Sequence, residues 1–171
     1  MNNEIFLIDA NSLITPYLTF YSFDLAPGFW TQMEFNIKAG KIAILDMVKD
    51  EISKNEDALK EWFDSLDIAN YIDHREASIL SKYRSVLRHI HENLCYKPSA
   101  LAEWAKASVA DPWLIATAAV YGYTIITFET FNKGLNVRNM SKKAKIPNVA
   151  DAFYVKTQNL YYLMQALKIK L

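Results

Sequence analysis

Short apolar runs alternate with longer amphipathic segments along this chain. Three runs, EIFLI (4–8), KIAIL (41–45) and TIITF (124–128), are rich in aliphatic residues and predict short buried strands. The segments after the first two runs have helical spacing of their apolar positions, from Asn11 to about Tyr21 and from about Asp46. This alternation predicts an α/β fold with three α/β/α layers and a mostly parallel central sheet.

Helical patterns also fill the middle of the chain, with no strand pattern between about residues 57 and 107. We therefore predict a single domain over residues 1–171 that contains a helical insertion at about 57–107. After it we expect a polar stretch up to Lys145. Helices are also predicted at GFWTQMEFNIKAG, DPWLIATAAVYGY and QNLYYLMQALKI.

Composition narrows the classes of function. The chain carries 19 basic and 19 acidic side chains, so it is not a globally basic nucleic-acid binder, and any basic surface must be local. Cys95 is the sole cysteine, which excludes an intramolecular disulfide and a cysteine-based metal site. No apolar run approaches the roughly 20 residues that span a bilayer, and the amino terminus lacks a signal-peptide pattern. These features predict a soluble, cytoplasmic protein with no membrane partner.

Four acidic residues stand at the ends of apolar segments: Asp9, Glu51, Asp111 and Glu129. An ionised carboxylate beside a core segment is costly unless a cation compensates its charge. Two of the four also follow predicted strands, and parallel sheets bind ligands at the carboxyl ends of their strands. Carboxylates without histidine or cysteine partners suit Mg²⁺ or Mn²⁺. We therefore predict that the four residues hold a divalent metal.

Helix capping is the main alternative explanation for two of these acids. Asp9 can cap the following helix, although Asn11 and Ser12 could do so equally well. Asn11 and Ser12 are in turn candidates to orient Asp9 or a metal-bound water. Asp111 precedes Pro112, which is typical of an N-cap followed by the first helical residue. A capping carboxylate can still bind a metal through its other oxygen.

For the other two acids, the alternative explanation is that they are ordinary solvent-exposed side chains. Glu51 has Asp50 as a neighbour, but at about 100° per residue Glu51 lies near the direction of Met47 and Ile52, whereas Asp50 points to solvent. Glu129 can be a solvated loop acid, because the residues around it are polar.

The stretch after Glu129 is basic and contains no acid from residue 133 to 145. It can bind a phosphate backbone, or it can be an ordinary solvated loop. Its candidate substrate-binding residues are Lys133, Arg138, Lys142, Lys143 and Lys145. The aromatic segments GFW, EWF and YY can stack on unpaired bases, but aromatics at helical spacing are more often core.

The order of these motifs resembles the PIN-domain nucleases over most of the chain. The matching features are DANS after the first strand, a glutamate in the helix after the second, ADPWLIATA, and TFE after the next strand. More narrowly, PGFW, VKDEI, ADPWLIATA, ITFE and KIPNVADAF are similar to an uncharacterised prokaryotic branch near the VapC-type toxins. In the family the fourth acidic position is commonly Asp, and here it is Glu129.

The resemblance implies a metal-dependent endoribonuclease, often the toxin of a toxin–antitoxin pair. It assigns Asp9, Glu51, Asp111 and Glu129 to an acidic quartet that binds Mg²⁺ or Mn²⁺ and cleaves RNA to a 5′-phosphate and a 3′-hydroxyl. An antitoxin protein would be a partner, and such proteins are often homodimers.

Two other functions fit the same residues. A PIN-like interaction module would keep the fold but lose metal binding through the change to Glu129. A phosphoryl-transfer enzyme would use Asp9 as a nucleophile, but such enzymes have a second acid where this chain has Asn11 and Ser12.

Overall fold

A five-stranded parallel sheet organises the computed structural model, which describes residues 4–171. Its strand order is β3-β2-β1-β4-β5. In register, Phe6 of β1 pairs with Ile42 of β2, and Leu45 of β2 pairs with Ile72 of β3. The strands are β1 Phe6–Ile8, β2 Ile42–Leu45, β3 Tyr71–Ile72, β4 Thr124–Ile126 and β5 Thr157–Gln158.

Helices separate most of these strands, which is consistent with a three-layer α/β/α fold and confirms the predicted class. Every residue of β1, β2 and β4 is buried, as expected for parallel strands with both faces covered. The nine helices within residues 4–171 are α1 Asn11–Thr19, α2 Pro27–Lys38, α3 Asp46–Ile52, α4 Ala58–Asp64, α5 Ala77–Glu92, α6 Pro98–Trp104, α7 Asp111–Tyr121, α8 Ile146–Ala152 and α9 Leu160–Ala166.

Three short elements differ from the sequence prediction. The middle of the chain is not all-helical, because β3 lies between α4 and α5. Strand β5 and helix α8 were also not predicted. A strand of two residues is too short to show a period of two, so neither strand leaves a clear pattern.

The chain divides into two compact units. Unit 1 comprises the described residues up to Asp73, together with Ile126–Phe128 and Gln158–Leu171. Unit 2 comprises His74–Ile125 and Glu129–Thr157. The single domain over residues 1–171 therefore stays a prediction.

Aromatic side chains fill much of the core of unit 1. Phe29 and Trp30 are buried, and Trp30 contacts Trp62 with ring centroids 4.8 Å apart. Phe63 is also buried. The GFW and EWF segments thus contribute to packing, the more common role of aromatics at helical spacing.

In unit 2, helix α5 packs against α6, α7 and α8. Trp113 of α7 stacks on Tyr83 of α5, with ring centroids 3.6 Å apart and planes inclined by 10°. This packing holds the start of α7, where Asp111 lies. Over the described residues, no helix has both the length and the apolar content that a membrane span requires.

Tyr154 adopts a left-handed backbone conformation, with φ of 57°, and its side chain is fully exposed. It follows the end of α8, where the Val155 amide donates to Ala150 O at 3.0 Å. Helix ends of this kind usually place glycine at the left-handed position, because a β-carbon is strained there. The ring of Tyr154 therefore makes no packing contribution that offsets the strain.

We expect Tyr154→Gly to raise the free energy of unfolding by about 1 kcal/mol, since glycine removes the left-handed strain. Chemical denaturation of the two proteins measures the difference. Tyr154→Ala is the matched control, because alanine lacks the ring but keeps the β-carbon. Equal stabilisation by alanine and glycine would contradict the strain explanation.

Candidate functional site

Asp9 directly follows β1 in unit 1, and only 4% of its surface is exposed. Its backbone amide donates to Ile126 O at 3.0 Å, and its Oδ2 accepts a 2.9 Å hydrogen bond from the Thr127 hydroxyl. A hydrogen bond to a carboxylate is shorter and stronger than one between neutral groups. Thr127 therefore fixes the orientation of Asp9 at the carboxyl end of β1.

Neither of the two residues predicted to orient Asp9 supplies this bond. The Ser12 hydroxyl is buried and donates to Ile126 O at 3.1 Å, so it serves the main chain rather than Asp9. Asn11 is the exposed first residue of α1, and Ala10 occupies the N-cap position without a side-chain cap. Thr127 is therefore the side chain that orients Asp9, and a role of Ser12 toward a metal-bound water stays a prediction. For Asn11 the role stays a prediction.

We expect Thr127→Val to lower the free energy of unfolding by about 2 kcal/mol, because valine matches the shape of threonine but leaves a buried carboxylate without this donor. If Asp9 binds a metal, affinity should also fall by about 10- to 100-fold. Urea denaturation and metal titration measure the two effects. Exposed Thr130→Val is the control. A Thr127→Val protein as stable as the control would show that the bond contributes little.

Helix α3 gives Glu51 and Asp50 the environments that helical geometry predicts. Met47, Val48 and Ile52 are buried on one side of α3, Asp50 is exposed, and Glu51 is partly buried between these extremes. Its place in a metal site stays a prediction.

In unit 2, one cavity of about 360 Å³ brings Asp111 and Glu129 together. They are 18 positions apart in the sequence, with most of α7 and all of β4 in the intervening residues. Lys143 lines the same cavity, and so does a third acidic residue, Glu103, which is not among the residues predicted from the sequence. The lining residues are Glu103, Trp104, Asp111, Glu129, Lys143 and Ala144.

Glu129 is held by the start of α8. Its Oε2 accepts a 2.6 Å hydrogen bond from the backbone amide of Ile146, the first residue of that helix. The first amides of a helix have no partner within the helix, so a carboxylate is a favourable acceptor there. This bond fixes the Glu129 carboxylate at the wall of the cavity.

The N-cap explanation of Asp111 is wrong. Asp111 is the first residue of α7, Pro112 follows it, and Ala110 occupies the N-cap position with no side-chain cap. The carboxylate therefore lies in the first turn, where its charge is favourable to the helix dipole, and it lines the cavity.

The five candidate cations all lie in unit 2, in or next to the segment that connects Glu129 to α8. Lys133, Arg138, Lys142 and Lys143 are exposed, and Lys145 is partly buried at the N-cap of α8. Only Lys143 lines the cavity. Of the five, Lys143 is thus the cation that lies beside the carboxylates.

A further pair of carboxylates lies at the sheet edge of unit 1. Asp46 follows β2 and Asp73 follows β3, and one carboxylate oxygen of each lies within 4.8 Å of the other. Burial raises the pKa of Tyr71, and the negative charges of Asp46, Asp50 and Asp73 raise it further. The two carboxylates are close enough to share one cation.

The donor set of the unit 2 cavity suits a hard divalent cation. Three acidic residues line it, Asp111, Glu129 and Glu103, the last of which forms an ion pair with Lys106, and no histidine or cysteine lines it. Mg²⁺ and Mn²⁺ prefer such oxygens and keep waters that can bind phosphate. Asp111 and Glu129 are therefore the members of the predicted quartet that the structure places in one cavity.

Residues 6–171 match the family described as a domain of unknown function (DUF4411). The chain belongs to this family. The match covers nearly the whole chain, so all four predicted acids of this DUF4411 member lie inside the family region. No curated protein matches the chain significantly.

Proposed function

We propose that this DUF4411 protein is a metal-dependent endoribonuclease. The proposal is supported chiefly by the cavity in which Asp111 and Glu129 lie beside Lys143. Carboxylates for a divalent ion next to an amine for a phosphate oxygen are the groups that phosphodiester hydrolysis needs. The resemblance to PIN-domain nucleases adds Asp9 and Glu51 to the proposed ligands.

Each residue has a distinct proposed role. Asp111 and Glu129 supply metal-binding oxygens, and the Ile146 amide keeps the Glu129 carboxylate in position. Lys143 binds a non-bridging oxygen of the RNA and reduces the repulsion between phosphate and carboxylates. Thr127 keeps Asp9 in one orientation. When bound, Mg²⁺ or Mn²⁺ would polarise the scissile phosphate and lower the pKa of a coordinated water.

The biological setting is part of the proposal. We propose a cytoplasmic toxin of a toxin–antitoxin pair, with an antitoxin protein as its partner and a homodimer as its assembled form. The single Cys95 accords with a reducing compartment. The motifs shared with VapC-type toxins support the toxin assignment.

Cleavage of a mixed pool of end-labelled RNA tests the activity. The proposal predicts cleavage with Mg²⁺ or Mn²⁺, no cleavage with EDTA, and fragments that carry 5′-phosphates and 3′-hydroxyls. Cleavage that persists in EDTA, or fragments that end in 2′,3′-cyclic phosphates, would refute a metal-dependent mechanism. No cleavage of any RNA together with no metal binding would support the interaction-module alternative.

A further inference from the structure

Residues 130–145 form a long segment without a helix or a named strand, yet its main chain is highly constrained. Connections of this length without secondary structure are uncommon and are usually functional or disordered. Here asparagine side chains hold the chain. Asn132 Oδ1 accepts from the Gly134 amide at 3.0 Å, and Asn136 Oδ1 accepts from the amides of Arg138 and Asn139 at 2.9 and 3.0 Å.

Both ends of this segment are also anchored within unit 2. Near its start, Asn148 of α8 exchanges two hydrogen bonds with the main chain of Asn132, at 2.8 and 3.1 Å. Near its end, the Ser141 amide donates to Cys95 O at 2.9 Å, and the Lys97 amide donates to Ser141 O at 2.8 Å. The segment is therefore preorganised, so binding on it costs little ordering entropy.

The constrained main chain presents apolar and cationic side chains to solvent. Phe131 is 49% exposed, Val137 is 60% exposed and Met140 is 38% exposed. Within the described residues, the Phe131 ring contacts no other aromatic ring, and none of the five cations of the segment forms an ion pair. The surface thus combines an available aromatic face with unneutralised positive charge.

This surface is continuous with the carboxylate cavity. Glu129, just before the segment, lines the cavity, and so do Lys143 and Ala144 near its end. Both ends of the segment therefore lie at the cavity that contains Asp111, and a polyanion bound along the segment would reach that cavity. An acidic protein could also form ion pairs with these cations. Its carboxylates would, however, lie close to the three acidic residues of the cavity wall, and like charges repel.

We propose that residues 131–143 bind a single-stranded RNA segment, with Phe131 stacking on an unpaired base and Arg138, Lys142 and Lys143 binding phosphates. This inference rests on the proposed nuclease function and adds its substrate-positioning surface. Aromatic stacking needs a base that is not paired within a helix, whereas phosphate contacts are common to single strands and duplexes. Phe131 is therefore the residue that discriminates between them.

Fluorescence anisotropy with a labelled, unstructured RNA of about 12 nucleotides tests the surface, since single-strand sites span about 4 to 16 nucleotides. The full chain is titrated in EDTA, where the metal-dependent reaction cannot proceed. We expect Phe131→Ala to weaken single-strand binding about tenfold and Phe131→Trp to retain it. Binding of the matching duplex should change by less than about twofold. Exposed Phe35→Ala is the control.

The cations are tested by the salt dependence of the same titration. Each phosphate that a lysine neutralises contributes about 0.7 to the slope of log affinity against log salt for a single strand. Replacing both Lys142 and Lys143 by Ala should therefore reduce the magnitude of that slope by about 1.4. Lys54→Ala is the control for a general loss of positive charge. Unchanged single-strand binding by Phe131→Ala, or an equal loss for single strand and duplex, would overturn the proposal. Phe131-dependent binding without any cleavage in Mg²⁺ would instead refute the nuclease function and leave the surface intact.

Discussion

Asp111→Asn should reduce RNA cleavage by more than about a hundredfold while leaving the fold intact. Asparagine has nearly the shape of aspartate, so the cavity keeps its volume, but it lacks the negative charge that we propose holds a divalent ion. Loss of a group that merely orients a metal ligand already costs about 10- to 100-fold in affinity or activity. Loss of a ligand itself should exceed that range.

The measurement is the initial rate of cleavage at saturating Mg²⁺, with the fold checked by circular dichroism. Asp151→Asn is a matched control, because Asp151 is an exposed aspartate on α8 of the same unit and does not line the cavity. The control should cleave like the wild type. Full activity in the Asp111→Asn protein would remove this carboxylate from the mechanism.

The three buried central strands of this fold were predictable from the sequence. EIFLI, KIAIL and TIITF are apolar runs because parallel strands are buried on both faces, and their positions agree with β1, β2 and β4 to within a few residues. Strand β3 was not predictable in the same way. Its two residues are held by their register with Ile44 and Leu45 of β2, a tertiary contact without a local sequence signal.

Part of the candidate site followed from a single rule, that ligands bind at the carboxyl ends of parallel strands. The rule selected Asp9 and Glu129. The same rule applied to KIAIL also points to Asp46, which is predicted above only as the start of a helix. Asp73 could not be selected, because the strand before it had not been recognised.

The contacts that position the acids could not be predicted from the sequence. Thr127 lies 118 positions from Asp9, and only the pairing of β1 with β4 brings the two together. The bond between Glu129 and the Ile146 amide depends on α8, which had no clear periodic pattern.

Mn²⁺ should stabilise the wild-type protein strongly and the quartet variants little. A ligand at 100 times its dissociation constant adds about 2.7 kcal/mol to the free energy of unfolding. In Asp9→Asn that gain should be lost. Thermal unfolding with and without Mn²⁺ measures both effects, with Asp151→Asn as the control.

Calorimetric titration of Mn²⁺ into the wild type and into Asp9→Asn, Glu51→Gln, Asp111→Asn and Glu129→Gln tests most directly whether these carboxylates bind a divalent metal. We predict a saturable binding event in the wild type and in Asp151→Asn that each of the four substitutions abolishes or weakens by at least about tenfold. Unchanged Mn²⁺ binding in all four variants, or no binding by the wild type, would contradict the metal-dependent nuclease.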